Sequence, residues 1–238
     1  RSTLFPYTTL FRSLAEVLDG GLGRVRPLHR AEVGLVVGRL DVVVPLRPVP
    51  VIPLRGGHER GDEGADIAVL ELDEAHATHF VAQVKPRYSL LLNVLRDQLD
   101  RFGEIDQTAR LLSYVAEQTT DVVVLNADDP RLSQLGQSDR LTARLAWFGA
   151  SGEASQLYRT DEELHTSQRA KRSKGAAENV LTLDRLTDRR AQYLIDGKRY
   201  TTELRLFGIY NALNCGAALS LVLCQRSEER RVGKECRS

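Results

Sequence analysis

Carboxylates and amides recur in this chain at the places where apolar runs stop. Three runs show it: Asp66-Ile-Ala-Val-Leu-Glu-Leu-Asp-Glu74, Tyr88-Ser-Leu-Leu-Leu-Asn93 and Thr120-Asp-Val-Val-Val-Leu-Asn-Ala-Asp-Asp-Pro130. Glu71, Asp73 and Glu74 supply oxygen donors of the kind a hard cation takes while keeping several waters. The same acids also suit the first turn of a helix, where they face its positive end. Asp128-Asp129-Pro130 reads either as a ligand-bearing loop or as a turn initiator. Asn211 and Asn214 lie three apart at the start of a helical stretch, so two amides can address the donor and acceptor edge of a purine, or one can cap the helix. Glu71, Asp73, Asn93, Asn126 and Asp128 together could converge on one cation-bearing, phosphate-containing ligand. His76 and His79 lack a third ligand at fixed spacing and read as surface residues. Cys215 and Cys224 sit among Ala and Leu and read as packed thiols.

The elements that must position these residues follow from the same runs. Near-continuous apolar strands separated by helix-length segments imply a parallel sheet covered on both faces, whose ligands bind outside the carboxyl ends of the strands. Strands are expected over 66–72, 88–94, 121–125 and 143–148, with helices over 74–84, 107–118 and 131–135. That alternation specifies an α/β fold with a doubly wound, mostly parallel sheet. Residues 151–206 read as an insertion: a polar stretch holding the basic run Arg169 to Lys174, then a β-hairpin turning at Asp196-Gly197. The basic run has no interleaved aromatics and reads as a solvated loop. From Gly208 a helix rich in small residues is suited to close packing on the sheet.

Composition narrows the function classes. The 33 basic and 32 acidic residues leave a net charge of +1, which gives no electrostatic reason to expect nucleic acid. No apolar run reaches the roughly 18 residues of a membrane helix, and three cysteines without metal spacing point to a reducing cytoplasm.

Both ends read as foreign to the fold. Residues 1–13 and 226–238 resemble translated sequencing adapter, leaving 14–225 as the folded unit. Within it, 24–60 is dominated by Val, Arg, Leu and Pro; Pro45, Pro48, Pro50 and Pro53 bar a central strand there. This segment reads as an extended surface loop or as a slip of reading frame.

Four motifs in order, Glu71-Leu-Asp-Glu74, Asn93 to Glu104, Asn126-Ala-Asp-Asp-Pro130 and Gly208-Ile-Tyr-Asn-Ala-Leu-Asn214, resemble the central ATPase domain of the Mur ligase family. Arg96-Asp-Gln-Leu-Asp-Arg101 is similar to the MurT branch, the ligase-like subunit of lipid II isoglutaminyl synthase, in which Gln98 stands where most members carry histidine. The resemblance spans about 65–225, and 14–25 is similar to the helix that follows the family's phosphate loop. It implies ATP and Mg2+ as cofactors, with Glu71 and Gln98 as metal ligands. It also implies that Asn93 lies beside the phosphates, Asn126 and Asp128 border the nucleotide, and Asn211 and Asn214 hold adenine. The implied reaction amidates the D-glutamate α-carboxyl of lipid II to D-isoglutamine through an acyl phosphate, at the membrane surface, with ammonia from a glutaminase subunit in a heterodimer. A folylpolyglutamate-type or other Mur ligase, or a non-catalytic folded remnant, is the alternative. The family's Gly-x-x-Gly-Lys-Thr phosphate loop and C-terminal domain are not found in the sequence, so the chain alone is expected to be an inactive fragment. The branch's zinc ribbon would fall at 151–200, which contains no cysteine.

Overall fold

The computed structural model describes residues 32–37, 52–53, 67–94, 104–158, 180–205 and 207–235. Its described strands are β1 (Glu32–Val37), β2 (Ile52–Pro53), β3 (Ile67–Leu72), β4 (Tyr88–Leu91), β5 (Val122–Asn126), β6 (Arg144–Ala150), β7 (Val180–Thr187), β8 (Arg190–Ile195) and β9 (Lys198–Glu203). They form one sheet in the order β2-β3-β1-β4-β5-β6-β7-β8-β9. From β3 across to β7 every neighbouring pair is parallel, while β2, β8 and β9 pair antiparallel at the two sides. The described helices are α1 (Glu74–Val81), α2 (Glu104–Gln118), α3 (Pro130–Leu135), α4 (Ala154–Leu157) and α5 (Ile209–Glu235). Among the described residues no helix is long and apolar enough to cross a membrane.

The doubly wound arrangement is visible residue by residue. Leu91, Val123 and Leu125 pack with Ala77, Val81, Leu112, Val115 and Leu132, so one face is covered by α1, α2 and α3. Their chain neighbours Leu90, Leu92, Val122 and Val124 turn the other way and pack with Ala217, Leu221 and Cys224 of α5. Period-two alternation sends successive side chains to opposite faces, and both faces are apolar because both are covered. Leu90, Leu91, Val123 and Val124 are fully buried. Each of these leucines contributes roughly 2 kcal/mol of burial free energy.

Small residues let α5 approach closely. A Cβ built on Gly216 would lie 3.1 Å from both Leu181 and Tyr193. The Tyr193 hydroxyl also donates to the Ala212 carbonyl at 2.8 Å, tying the helix to β8. Cys215 and Cys224 are buried on this helix and not joined in a disulfide, as the apolar context implied. The backbone of α5 continues through 226–235, the segment set apart as adapter-like.

Three details differ from the sequence reading. The segment 24–60, read as a surface loop or frame slip, contributes β1 to the interior of the sheet, between β3 and β4. The proline argument still explains the division: residues 32–37 hold no proline, whereas Pro53 sits in the two-residue outermost strand β2. The expected hairpin turns at Asp196 and Gly197, both with positive φ as a tight two-residue turn requires. It reaches the parallel strands through β7, which polar residues and a register shift at Leu183/Arg185 kept from view. Finally, α2 begins at Glu104, three residues before its expected start.

Candidate functional site

The carboxyl ends of the parallel strands gather two kinds of polar group. The turn after β5 holds buried side chains that are bonded within the protein. Asn126 donates from Nδ2 to the Leu92 carbonyl at 2.9 Å and to the Tyr158 hydroxyl at 3.4 Å, while its Oδ1 accepts from the Asp128 amide. Asp128 Oδ2 accepts from the Ala150 amide at 2.6 Å. Gly149 makes room for that carboxylate, since a Cβ there would stand 3.0 Å from Oδ2.

Asp129 completes the lock. Its Oδ1 accepts from the amides of Arg131 and Leu132, capping α3, and its Oδ2 accepts from the Val94 amide at 2.7 Å. Burial pushes its carboxyl above the usual range, against the pull of these donors. These three residues therefore bind the ends of β4, β5 and β6 to one another. Asn126 and Asp128, read as bordering a nucleotide, have polar atoms committed to the fold.

Glu71 and Asn93 are different. Glu71 is the penultimate residue of β3. Leu70 and Leu72 face the α1–α3 side, so Glu71 points toward the α5 side. Its Oε2 is buried and has no hydrogen-bond partner, and the same holds for Asn93 Oδ1. Desolvation raises the Glu71 carboxyl to about 7. Val36 of β1 lies in register with both Glu71 and Leu90, so β3 and β4 flank the end of β1. Two strand spacings, roughly 10 Å, separate β3 from β4, with β1 between them, and Asn93 follows the end of β4 by two residues. A buried polar atom without a partner is rare in folded proteins and calls for a specific cause, such as a bound ion. Two oxygen donors fit Mg2+, which takes few protein ligands and completes its shell with phosphate and water. Among the described residues no three His, Cys, Asp or Glu are grouped as a metal cage.

The neighbouring acids divide. Asp73 is the N-cap of α1: Oδ1 accepts from the His76 amide at 2.8 Å, and Oδ2 lies 2.6 Å from His76 Nδ1. That arrangement is the helix-capping alternative, not a ligand set. Glu74 also has a buried unbonded oxygen, Oε1. His79 lies in the last turn of α1. Gln98 falls outside the described residues.

Asn211 and Asn214 lie in the first two turns of α5. The Asn211 amide donates to the Phe207 carbonyl at 2.6 Å, which orients the group and leaves Oδ1 as an acceptor. Tyr158, buried and edge-on to Tyr210 with centroids 5.7 Å apart, joins this helix to Asn126. Sequence reading missed Tyr158 and the locking role of Asp129. Asp129 before proline is a recognisable cap signal, but its bond to Val94, 35 residues away, has no local signature. A groove of about 1070 Å³ lies elsewhere, between α2 and α3, lined by residues such as Arg110, Tyr114 and Gln134. We assign it no part in the site, because Glu71 points to the other face.

Comparisons with known proteins bear on the family and the fold. Residues 58–222 match the Mur ligase middle domain. Over 180 residues the chain is 28% identical to the lipid II isoglutaminyl synthase (glutamine-hydrolyzing) subunit MurT of Streptococcus pneumoniae, covering 66% of this chain and 40% of that one. It is 39% identical over 69 residues to the Staphylococcus aureus (strain COL) subunit of the same name, covering 29% and 16%. The chain thus spans well under half the length of these relatives. Among solved structures, a pseudomurein peptide ligase type C from Methanothermus fervidus superposes with a TM-score of 0.55 at 14% identity, over 90% of this chain and 49% of that one. That last likeness speaks for the fold alone.

Proposed function

This chain belongs to the Mur ligase family, whose middle domain it carries, and from that premise we propose that it is the nucleotide-binding part of an ATP-dependent ligase that amidates lipid II. The observation that carries the reading is the pair of buried oxygens, Glu71 Oε2 and Asn93 Oδ1, left without partners at the carboxyl end of the sheet. The likeness to subunits named for glutamine hydrolysis and isoglutaminyl synthesis supports the finer statement. In that statement the substrate is the D-glutamate α-carboxyl of the lipid II stem peptide, and a glutaminase partner supplies ammonia. The setting is the cytoplasmic face of the membrane.

In this reading Glu71, Asn93 and Gln98 hold the magnesium nucleotide at its phosphates, and Asn211 and Asn214 hold its base. Bound there, the nucleotide supplies the phosphoryl group that activates a carboxylate as an acyl phosphate for attack by ammonia. The protein's own contribution is electrostatic and positional, as phosphoryl transfer demands. Glu71, near pH 7 only partly ionised, would release its proton on holding a cation, so binding and ionisation would be linked. Asn126, Asp128 and Asp129 fix the ends of β4, β5 and β6, the side of the site on which Asn93 stands.

The test is amidation of lipid II, followed by mass spectrometry, using the full protein encoded at the source locus together with its glutaminase. Conversion by the wild type and its loss in Glu71→Ala are expected. Wild-type turnover in Glu71→Ala would remove that residue from the mechanism, and transfer of an amino acid in place of ammonia would move the protein to another branch of the family.

A further inference from the structure

Among the described residues the sheet ends on β9 with no strand beyond it. β9 is last in the strand order, and each of its residues, Lys198 to Glu203, is exposed. Cover from α5 stops one strand earlier: Tyr193 of β8 is buried against the helix, whereas Tyr200, its partner in register, is 51% exposed. An edge strand offers a row of unpaired N–H and C=O groups to any strand that can lie alongside it.

The turn decides which of these groups point outward. Only Asp196 and Gly197 separate β8 from β9, so Ile195 and Lys198 exchange backbone bonds, and every second residue of β9 bonds inward. The Leu204 amide donates to the Arg189 carbonyl at 2.7 Å, in phase with that alternation. Arg199, Thr201 and Glu203 therefore turn their backbone groups to the open edge.

Edges that resist pairing carry proline, bulges or repelling charge. β9 holds no proline, its register with β8 is unbroken, and its charges are of opposite sign at its two ends. That order suits an antiparallel second copy. With Thr201 opposite Thr201 of the second copy, every outward-facing residue meets an outward-facing one. Arg199 then falls opposite Glu203 twice, and Tyr200 opposite Thr202 twice. Opposite charges, threonine with threonine, and an aromatic with a β-branched residue are favourable cross-strand pairs. The charges also extend rows already begun, because Arg199 lies 3.3 Å from Asp184 and Glu203 lies 3.1 Å from Arg189. Signs alternate from Asp184 through Arg199 to Glu203 and Arg189 of the second copy.

We propose that β9 pairs antiparallel with β9 of a second copy of this chain, about a two-fold axis at Thr201, joining two sheets into one. A single short strand pair buries less than the roughly 1,000 Å² of a stable interface, so the dimer is weak and depends on concentration. The proposal does not depend on the roles given to Glu71 and Asn93.

Sedimentation equilibrium of the full chain should show a mass that rises with concentration from the monomer value toward twice that value. Thr201→Pro removes an outward N–H that the monomer does not use, so it should abolish the rise and leave the Tm unchanged. Arg199→Glu and Glu203→Arg each set like charges opposite one another in two places, and each alone should be monomeric. Mixed in equal amounts, the two variants restore both opposite-charge pairs and should recover the dimer. Where Thr201→Pro does not fold, the charge variants decide. A wild type that stays monomeric at every concentration overturns the proposal and leaves the edge to a strand of another protein. A dimer that survives Thr201→Pro overturns it too, as does a mixture of the charge variants that stays monomeric.

Discussion

Two polar clusters stand at the same end of one sheet and are resolved in opposite ways. In the turn after β5, Asn126, Asp128 and Asp129 find donors and acceptors within the protein. At the ends of β3 and β4, Glu71 and Asn93 keep oxygens that are buried and unbonded. Burying a polar group is tolerable when its bonds are made and expensive when they are not. The first cluster therefore accounts for itself as architecture, whereas the second holds polar atoms that the fold leaves without a donor.

The comparison breaks if substitutions in the two clusters change stability in the same direction. Asp129→Ala removes acceptors from three backbone amides, two at the N-terminus of α3 and one at Val94. A loss of about 3 kcal/mol in urea denaturation is expected, combining the cap with an orphaned buried amide. A loss below about 1 kcal/mol would mean that the turn is not a lock.

Glu71→Gln should act oppositely and depend on pH. The folded carboxyl titrates at about 7 against an unperturbed 4.5, so the folded state holds the proton longer than the unfolded one. The penalty is absent below 4.5, grows as pH rises toward 7 and is complete above it. At pH 8 it amounts to roughly 3 kcal/mol. Glu71→Gln should therefore stabilise the protein at pH 8 and leave it unchanged at pH 4, with denaturation at both values as the check. Added Mg2+ should raise the wild-type Tm at pH 8 and leave that of the variant unmoved.

Smaller effects sharpen the boundary between the clusters. Asp73 is close to Glu71 in sequence yet caps α1, so Asp73→Ala should cost about 1 kcal/mol and leave magnesium-induced stabilisation intact. Asn93→Ala removes an atom with no partner to lose, so stability should move by less than about 0.5 kcal/mol while stabilisation by Mg2+ falls. Thermal denaturation with and without the ion distinguishes the two.

Much of the fold was legible locally. Near-continuous apolar runs separated by helix-length segments marked β3 through β6, and Asp196-Gly197 marked the hairpin. The strands β1 and β7 were not, because proline-rich flanks surround one and a polar, bulged sequence forms the other. At the site, carboxylates and amides at strand ends were readable as a group. Their division was not. Asp128 and Glu71 are both acidic residues near strand ends, and nothing in their immediate neighbours tells which will find a backbone amide.

Periodicity and residue type by themselves determined that this chain builds a sheet covered on both faces and collects oxygen donors at its carboxyl end, because those are consequences of local geometry. Only the tertiary structure decided which donors are spent. The Ala150 amide reaches Asp128, and the Val94 amide reaches Asp129, across 22 and 35 residues of chain. Glu71 meets no such donor, and whether a buried oxygen is satisfied depends on what distant chain folding brings within 3 Å of it.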